Sequence, residues 1–167
     1  AQSLGESILK PGDEVLISCM ELRSNIVPWQ IICKKTKAVL KIIPINKHGE
    51  ILFEEFLDLL SERTKIISIV HISNTLGTIN PVKRIIAAAH KLGAKVLVDG
   101  AQVTPHQKID VKSLNCDFYA FSGHKMYGPT GVGILYGKRS LLEAIPPYQG
   151  GGEMIKDVSF TQTSYNE

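Results

Sequence analysis

A chain of 167 residues with 44% hydrophobic and 21% charged residues has the make-up of one soluble globular domain, able to bury about 70% of its unfolded surface. Its net charge of +3 is small and its basic residues are scattered, which argues against a nucleic-acid partner; the densest group, Lys34, Lys35 and Lys37, reads as a solvated helix end. Cys19, Cys33 and Cys116 are odd in number and lack CxxC spacing, so a disulfide framework and a zinc site are disfavoured, a reducing, cytoplasmic setting fits, and no apolar run approaches the roughly 18 residues of a membrane span.

The chain starts without methionine in a helical pattern from Leu4 to Leu9, which reads as the interior of a longer protein. Strand and helix patterns then alternate. A strand is expected over Glu14–Cys19, a helix over Ile26–Lys34, a strand over Val39–Pro44 and a helix over Leu52–Leu60. A strand over Ile66–Val70 precedes the best-signalled helix, Val82–Leu92, with Asn80 as its N-cap, Pro81 at its first position and Gly93 after its end. Strands follow at Lys95–Val98, Phe118–Phe121 and Val132–Tyr136, then a helix over Arg139–Ile145. Such alternation implies βαβ units: an α/β fold with a mostly parallel sheet sandwiched by helices. The Gly-rich connection before Val132 carries no helix, so the last strand is expected to run antiparallel, giving a mixed sheet. Gln149-Gly150-Gly151-Gly152 is the one plausible exit from this domain.

In open α/β sheets ligands sit beyond the carboxyl ends of the strands. That places His71 and Asn74, Asp99 and Gln102, and Ser122, His124 and Lys125 around one crevice. A lysine amine can condense with an aldehyde, and a carboxylate at a strand end needs a partner such as a protonated heterocyclic nitrogen. Lys125 and Asp99 are therefore the pair that pyridoxal 5'-phosphate (PLP) requires. Gln102 can bond the ring's phenolic oxygen. Ser122 and His124 offer a hydroxyl and an imidazole to the phosphate, with Gly123 letting the backbone come close. Asn74 can reach the phenolic oxygen or a substrate carboxylate, and His71 serves either the site or the loop backbone. Plainer roles compete: Asp99 as a cap for a helix starting near Ala101, His124 as a structural histidine, Trp29 as core. His48, His90 and His106 read as solvent or loop residues. Gly128 to Gly133 matches no nucleotide-binding glycine pattern and reads as a tight backbone passage after the lysine.

Met20-Glu21-x-x-Ser24-Asn25-Ile26-Val27-Pro28-Trp29-Gln30, His71-Ile72-Ser73-Asn74-Thr75-Leu76-Gly77, Val98-Asp99-Gly100-Ala101-Gln102, Cys116-Asp117-Phe118-Tyr119 and Phe121-Ser122-Gly123-His124-Lys125 together resemble the Suf-type (group II) cysteine desulfurases. These belong to the class V aminotransferase family of fold-type I PLP enzymes. The resemblance spans nearly the whole chain. It implies the central part of a PLP-dependent transferase large domain, residues 1–167 as one domain, without the N-terminal segment and the C-terminal small domain. It implies that Lys125 carries PLP, that Asp99 and Gln102 hold the ring, that Ser122 and His124 hold the phosphate, and that Asn74 lies at the cofactor's edge. The implied reaction takes sulfur from L-cysteine, leaves L-alanine and passes persulfide sulfur to an acceptor protein for iron–sulfur cluster assembly, in a homodimer.

The chain departs from that pattern at Leu22 and Arg23, where the family usually has a histidine pair; leucine can pack on a ring but carries no proton. The family's nucleophilic cysteine and carboxylate-binding arginine belong to a region beyond this chain, and Cys19, Cys33 and Cys116 read as buried or packing thiols. A desulfurase fragment inactive alone is thus the leading reading. A selenocysteine lyase acting on L-selenocysteine, or another class V PLP enzyme, is a second. A degenerate scaffold or dimerisation module is a third.

Overall fold

The computed structural model describes residues 1–166; Glu167, the last residue of the expected domain, lies outside them. The elements in chain order are α1 (Gln2–Ile8), β1 (Glu14–Ser18), α2 (Arg23–Thr36), β2 (Val39–Ile43), α3 (Phe53–Leu59), β3 (Thr64–Val70), α4 (Val82–Lys91), β4 (Lys95–Asp99), α5 (Val111–Leu114), β5 (Phe118–Ser122), β6 (Gly133–Gly137) and α6 (Arg139–Ala144). A hairpin of β7 (Ile155–Val158) and β8 (Thr163–Tyr165) follows. Short 3₁₀ turns occupy Gly123–Met126 and Gly152–Met154.

The first six strands form one sheet in the order β2-β1-β3-β4-β5-β6. All neighbours pair in parallel except β5 and β6, which are antiparallel. The mixed sheet and the reversed last strand are as expected, because β5 and β6 are joined by a Gly-rich loop too short to cross over. Gly123 N–H bonds the Val132 carbonyl at 2.8 Å and Gly128 N–H bonds the Gly123 carbonyl at 2.9 Å. A Cβ on Gly128 would meet the Gly123 oxygen at 3.0 Å, and Gly131 adopts φ +82°. That is the tight passage read from the glycines.

Alternate residues of the central strands feed two cores. On one face Ile67, Ile69, Val96, Val98 and Tyr119 pack with Phe56 of α3 and Val82, Ile85, Ile86 and Ala89 of α4. On the other, Val15, Ile17, Ile66 and Phe118 pack with Leu4, Trp29, Ile32 and Cys33 from α1 and α2. The helices α1 and α2 cover β1 and β3 on this second face. Towards β6 the cover ends, and Ile134 and Leu135 are exposed.

Several local expectations need correction. Asn80 does not cap α4: Pro81 is the cap residue and no side chain bonds the helix start. The buried Asn80 amide instead donates to the Val70 carbonyl at 2.8 Å, because an orphan carbonyl at a buried strand end is costlier than an uncapped helix that opens near solvent. The helix α2 starts at Arg23, three residues early, and carries Pro28 inside it. Cys19 is exposed just past β1, so only Cys33 and Cys116 are buried thiols. Burial pushes the Cys116 thiol up to about 11, which makes it a packing group, not a nucleophile. His90 is not a loop residue: its Nε2 meets Asp117 Oδ2 at 2.8 Å. Lys34, Lys35 and Lys37 are exposed at the end of α2 as expected. No helix among the described residues is long and apolar enough to cross a membrane.

Candidate active site

The parallel register pairs Val70 with Asp99 and Asp99 with Ala120, so β3 and β4 end level and β5 runs two residues further, to Ser122. That alignment brings chemistry from distant parts of the chain to one edge. A hollow of about 430 Å³ opens there on the α2 side, and Asp99, Ser122 and Lys125 all line it. Its apolar walls include Leu22, Trp29, Ala101 and Phe121.

Asp99 closes β4, and its Oδ1 accepts the Ala101 N–H at 2.9 Å. The plainer capping role is therefore real, and the turns that follow are knit by Val103 and Thr104 N–H bonds to the Gly100 carbonyl at 3.0 and 3.1 Å. Among the described residues no protein donor bonds the second Asp99 oxygen, and neither Lys125 Nζ nor Ser122 Oγ has a protein hydrogen bond. Lys125 rides on the 3₁₀ turn Gly123–Met126 that follows β5 directly, which makes it a lining residue of the same hollow as Asp99. Three partnerless polar groups of complementary kind, an amine, a carboxylate and a hydroxyl, line an apolar-walled hollow. This donor set fits PLP: the carboxylate suits a protonated ring nitrogen, the amine an aldehyde, the hydroxyl a phosphate oxygen.

Other sequence-predicted residues stand apart. Asn74, Gln102 and His124 are outside the lining of this hollow among the described residues; Asn74 and His124 are exposed and Gln102 half-buried. The imidazole of His71 lies behind the sheet, where its Nδ1 and Tyr119 Oη are 3.1 Å apart. Leu22, the residue before α2, does line the hollow, while Arg23 is exposed. The wall that meets a ligand at this point is aliphatic.

Below that wall lies a buried polar network that the sequence reading missed. Glu21 accepts from the Val70 N–H at 3.0 Å, from Asn25 Nδ2 at 2.7 Å and from the Ser18 hydroxyl. Asn25 Oδ1 in turn accepts Trp29 Nε1 at 3.2 Å and the Ser68 hydroxyl at 2.5 Å. Burial raises the Glu21 pKa, opposed by its three donors and assisted by the nearby Asp99 charge. The network ties the ends of β1 and β3 to the first turns of α2 and so holds Leu22 and Asn25 at the hollow. Glu21, Asn25 and Trp29 recur every fourth position, the spacing of one helix face; that was the available signal. Ser68→Ala removes one hydrogen bond from the network and should cost about 1 kcal/mol, a fall of roughly 2–4 °C in melting temperature for a chain of this length. Thermal unfolding followed by circular dichroism checks it.

The model of the family described as "Aminotransferase class-V" matches residues 1–167. A cysteine desulfurase of Cronobacter sakazakii is 52% identical over 162 residues, which is 97% of this chain and 40% of that protein. One from Synechococcus elongatus is 52% identical over 165 residues, 99% of this chain and 26% of its own length. Among solved structures, the Escherichia coli cysteine desulfurase CsdA superposes with a TM-score of 0.95 at 41% identity, over 99% of this chain and 41% of its own. The apo cysteine desulfurase of Thermococcus onnurineus gives 0.92 at 34% identity, over 99% of this chain and 41% of its own. The chain thus spans about 40% of the length of most of these relatives.

Proposed function

This chain belongs to the class V aminotransferase family, whose enzymes depend on PLP, and from that premise we propose that it is the cofactor-holding centre of a cysteine desulfurase. The observation that carries the proposal is the shared hollow: Asp99, Ser122 and Lys125 line it together. Likeness to cysteine desulfurases over 97–99% of the chain supports the choice of reaction within the family.

In this reading PLP supplies an electron sink for the pair left when a bond at the substrate's α-carbon breaks. Lys125 anchors the aldehyde carbon and moves protons at its Nζ. Asp99, by holding a proton on the ring nitrogen with its free oxygen, keeps the ring electron-poor. Ser122 would take a phosphate oxygen; His124, Asn74 and Gln102, which stand outside the hollow, are the further residues the family resemblance assigns to the cofactor. Leu22 excludes water from one face but carries no proton. General acid–base help is typically worth about 10²–10⁴-fold, so Lys125 is the proton carrier this reading assigns within the hollow.

The finer reading is of a Suf-type enzyme in the cytoplasm that acts as a homodimer, takes L-cysteine or L-selenocysteine and hands sulfur to an acceptor protein. The chain itself is read as the central part of the large domain.

Borohydride reduction after mixing with PLP tests the proposal. It should fix a pyridoxyl group on Lys125, read by peptide mass spectrometry. Label spread evenly over surface lysines would reject it and favour a non-catalytic scaffold, the reading to which the aliphatic Leu22 wall otherwise lends support.

A further inference from the structure

The hollow has a reverse side. Val98, Gly100 and Tyr119 face away from it, toward α4, because Asp99 points the other way from its strand neighbours. The Tyr119 ring, 1% exposed, leaves β5, crosses beneath Gly100 at the end of β4 and reaches His71 just past β3, with 3.1 Å between Oη and Nδ1. A Cβ at Gly100 would lie 2.0 Å from the ring's Cε1 and 2.4 Å from its Oη, so only glycine lets the ring through. The backbone repeats the same tie: His71 N–H donates to the Asp99 carbonyl at 2.8 Å and Gly100 N–H to the Ala120 carbonyl at 2.8 Å.

We propose that the Tyr119–His71 hydrogen bond is a positioning device that pins the Asp99-Gly100-Ala101 turn from behind and so sets where the Asp99 carboxylate stands in the hollow. Neither residue touches the hollow. Both act through the turn. Burial keeps the imidazole of His71 neutral by lowering its pKa, and burial with the nearby Asp99 charge raises that of Tyr119. A hydrogen bond between an uncharged hydroxyl and an uncharged imidazole nitrogen holds its geometry over the ordinary pH range, which a charged pair at this depth would not. After burial, the nearby Cys116 thiol and Asp99 carboxylate add to the rise in the Tyr119 pKa.

The inference rests on the PLP reading only for its consequence, not for its geometry, and the test separates the two. Amide hydrogen exchange is measured residue by residue in the 167-residue chain without cofactor, for the wild type, Tyr119→Phe and Gly100→Ala. Tyr119→Phe keeps the ring volume. Its expected effect is a loss of at least about tenfold in protection at Ala101 and His71, with β1 amides unchanged. Gly100→Ala, which displaces the same ring, should give the same local pattern. Unchanged protection at Ala101 in Tyr119→Phe, or an equal loss across all strands, overturns the positioning role. In parallel, PLP affinity should fall several-fold in Tyr119→Phe. A wild type that binds no PLP while the exchange pattern appears as expected would remove the cofactor reading and leave the positioning device standing.

Discussion

Asp117→Ala should lower the melting temperature of the chain more than any surface change, by roughly 6–12 °C at pH 7, given a cost of about 3 kcal/mol for breaking a buried ion pair. Asp117 is 3% exposed and stands immediately before β5. Its Oδ2 accepts the Val96 N–H and meets His90 Nε2, both at 2.8 Å, and its Oδ1 meets Lys138 Nζ at 3.0 Å. One carboxylate thus joins β4, the end of α4 and the residue before α6. Truncation leaves the Val96 N–H without its carboxylate and Lys138 with only the Asn115 carbonyl at 3.2 Å, which costs more than the lost attraction. His90 and Lys138 keep 25% and 31% of their side-chain exposure, so the lower end of the usual range applies.

The same carboxylate predicts a pH dependence. Burial would raise its pKa, but the Val96 N–H, His90 and Lys138 outweigh that and hold it below the ordinary value. A carboxylate depressed in the folded state contributes stability above its unfolded pKa of about 3.9 and loses it as pH falls through the depressed value. Wild type and Asp117→Ala should therefore differ most near neutrality and converge in acid. Melts at pH 7 and pH 3 check this; equal midpoints at pH 7 would falsify the role given to Asp117.

Asp99→Asn is the second large effect, on ligand affinity in place of stability. Asparagine keeps an acceptor for the Ala101 N–H, so the turn survives and the melt should barely move. The lost charge removes the counterpart of a ring N–H, and a hydrogen bond to a charged group contributes about 1.5–3 kcal/mol. PLP binding followed by fluorescence titration should weaken by roughly 10–100-fold. Equal affinity in wild type and variant would mean that the free Asp99 oxygen does not meet the ring.

The pieces of this protein that follow from short-range pattern were readable in the chain. Short apolar runs gave six strands within a residue or two, because a strand buried on both faces leaves little room for polar residues. Gly128 and Gly131 marked a tight backbone passage, Gly128 because a Cβ would press on the Gly123 carbonyl and Gly131 because of its positive φ. The strand-end rule expected His71, Asn74, Asp99, Gln102, Ser122, His124 and Lys125 around one crevice; Asp99, Ser122 and Lys125 line one hollow and the other four do not. The hairpin β7–β8 and the short α5 were missed, since four-residue elements with mostly exposed side chains leave no periodic trace.

What the chain could not announce was partnership across distance. Whether Asn80 caps a helix or feeds the Val70 carbonyl depends on which orphan group lies nearer water, and that is a property of the packed sheet. His90 resembles any helix-end histidine until β5 delivers Asp117 beside it. Tyr119 and His71 lie 48 positions apart and meet only because a glycine, Gly100, follows β4 between them. Composition and spacing determined the strands, the glycine passage and the chemistry available at the sheet's edge. Tertiary structure alone decided which polar groups pair and which stay free to meet a ligand, because a hydrogen bond is worth its desolvation cost only where burial has already been settled by the rest of the fold.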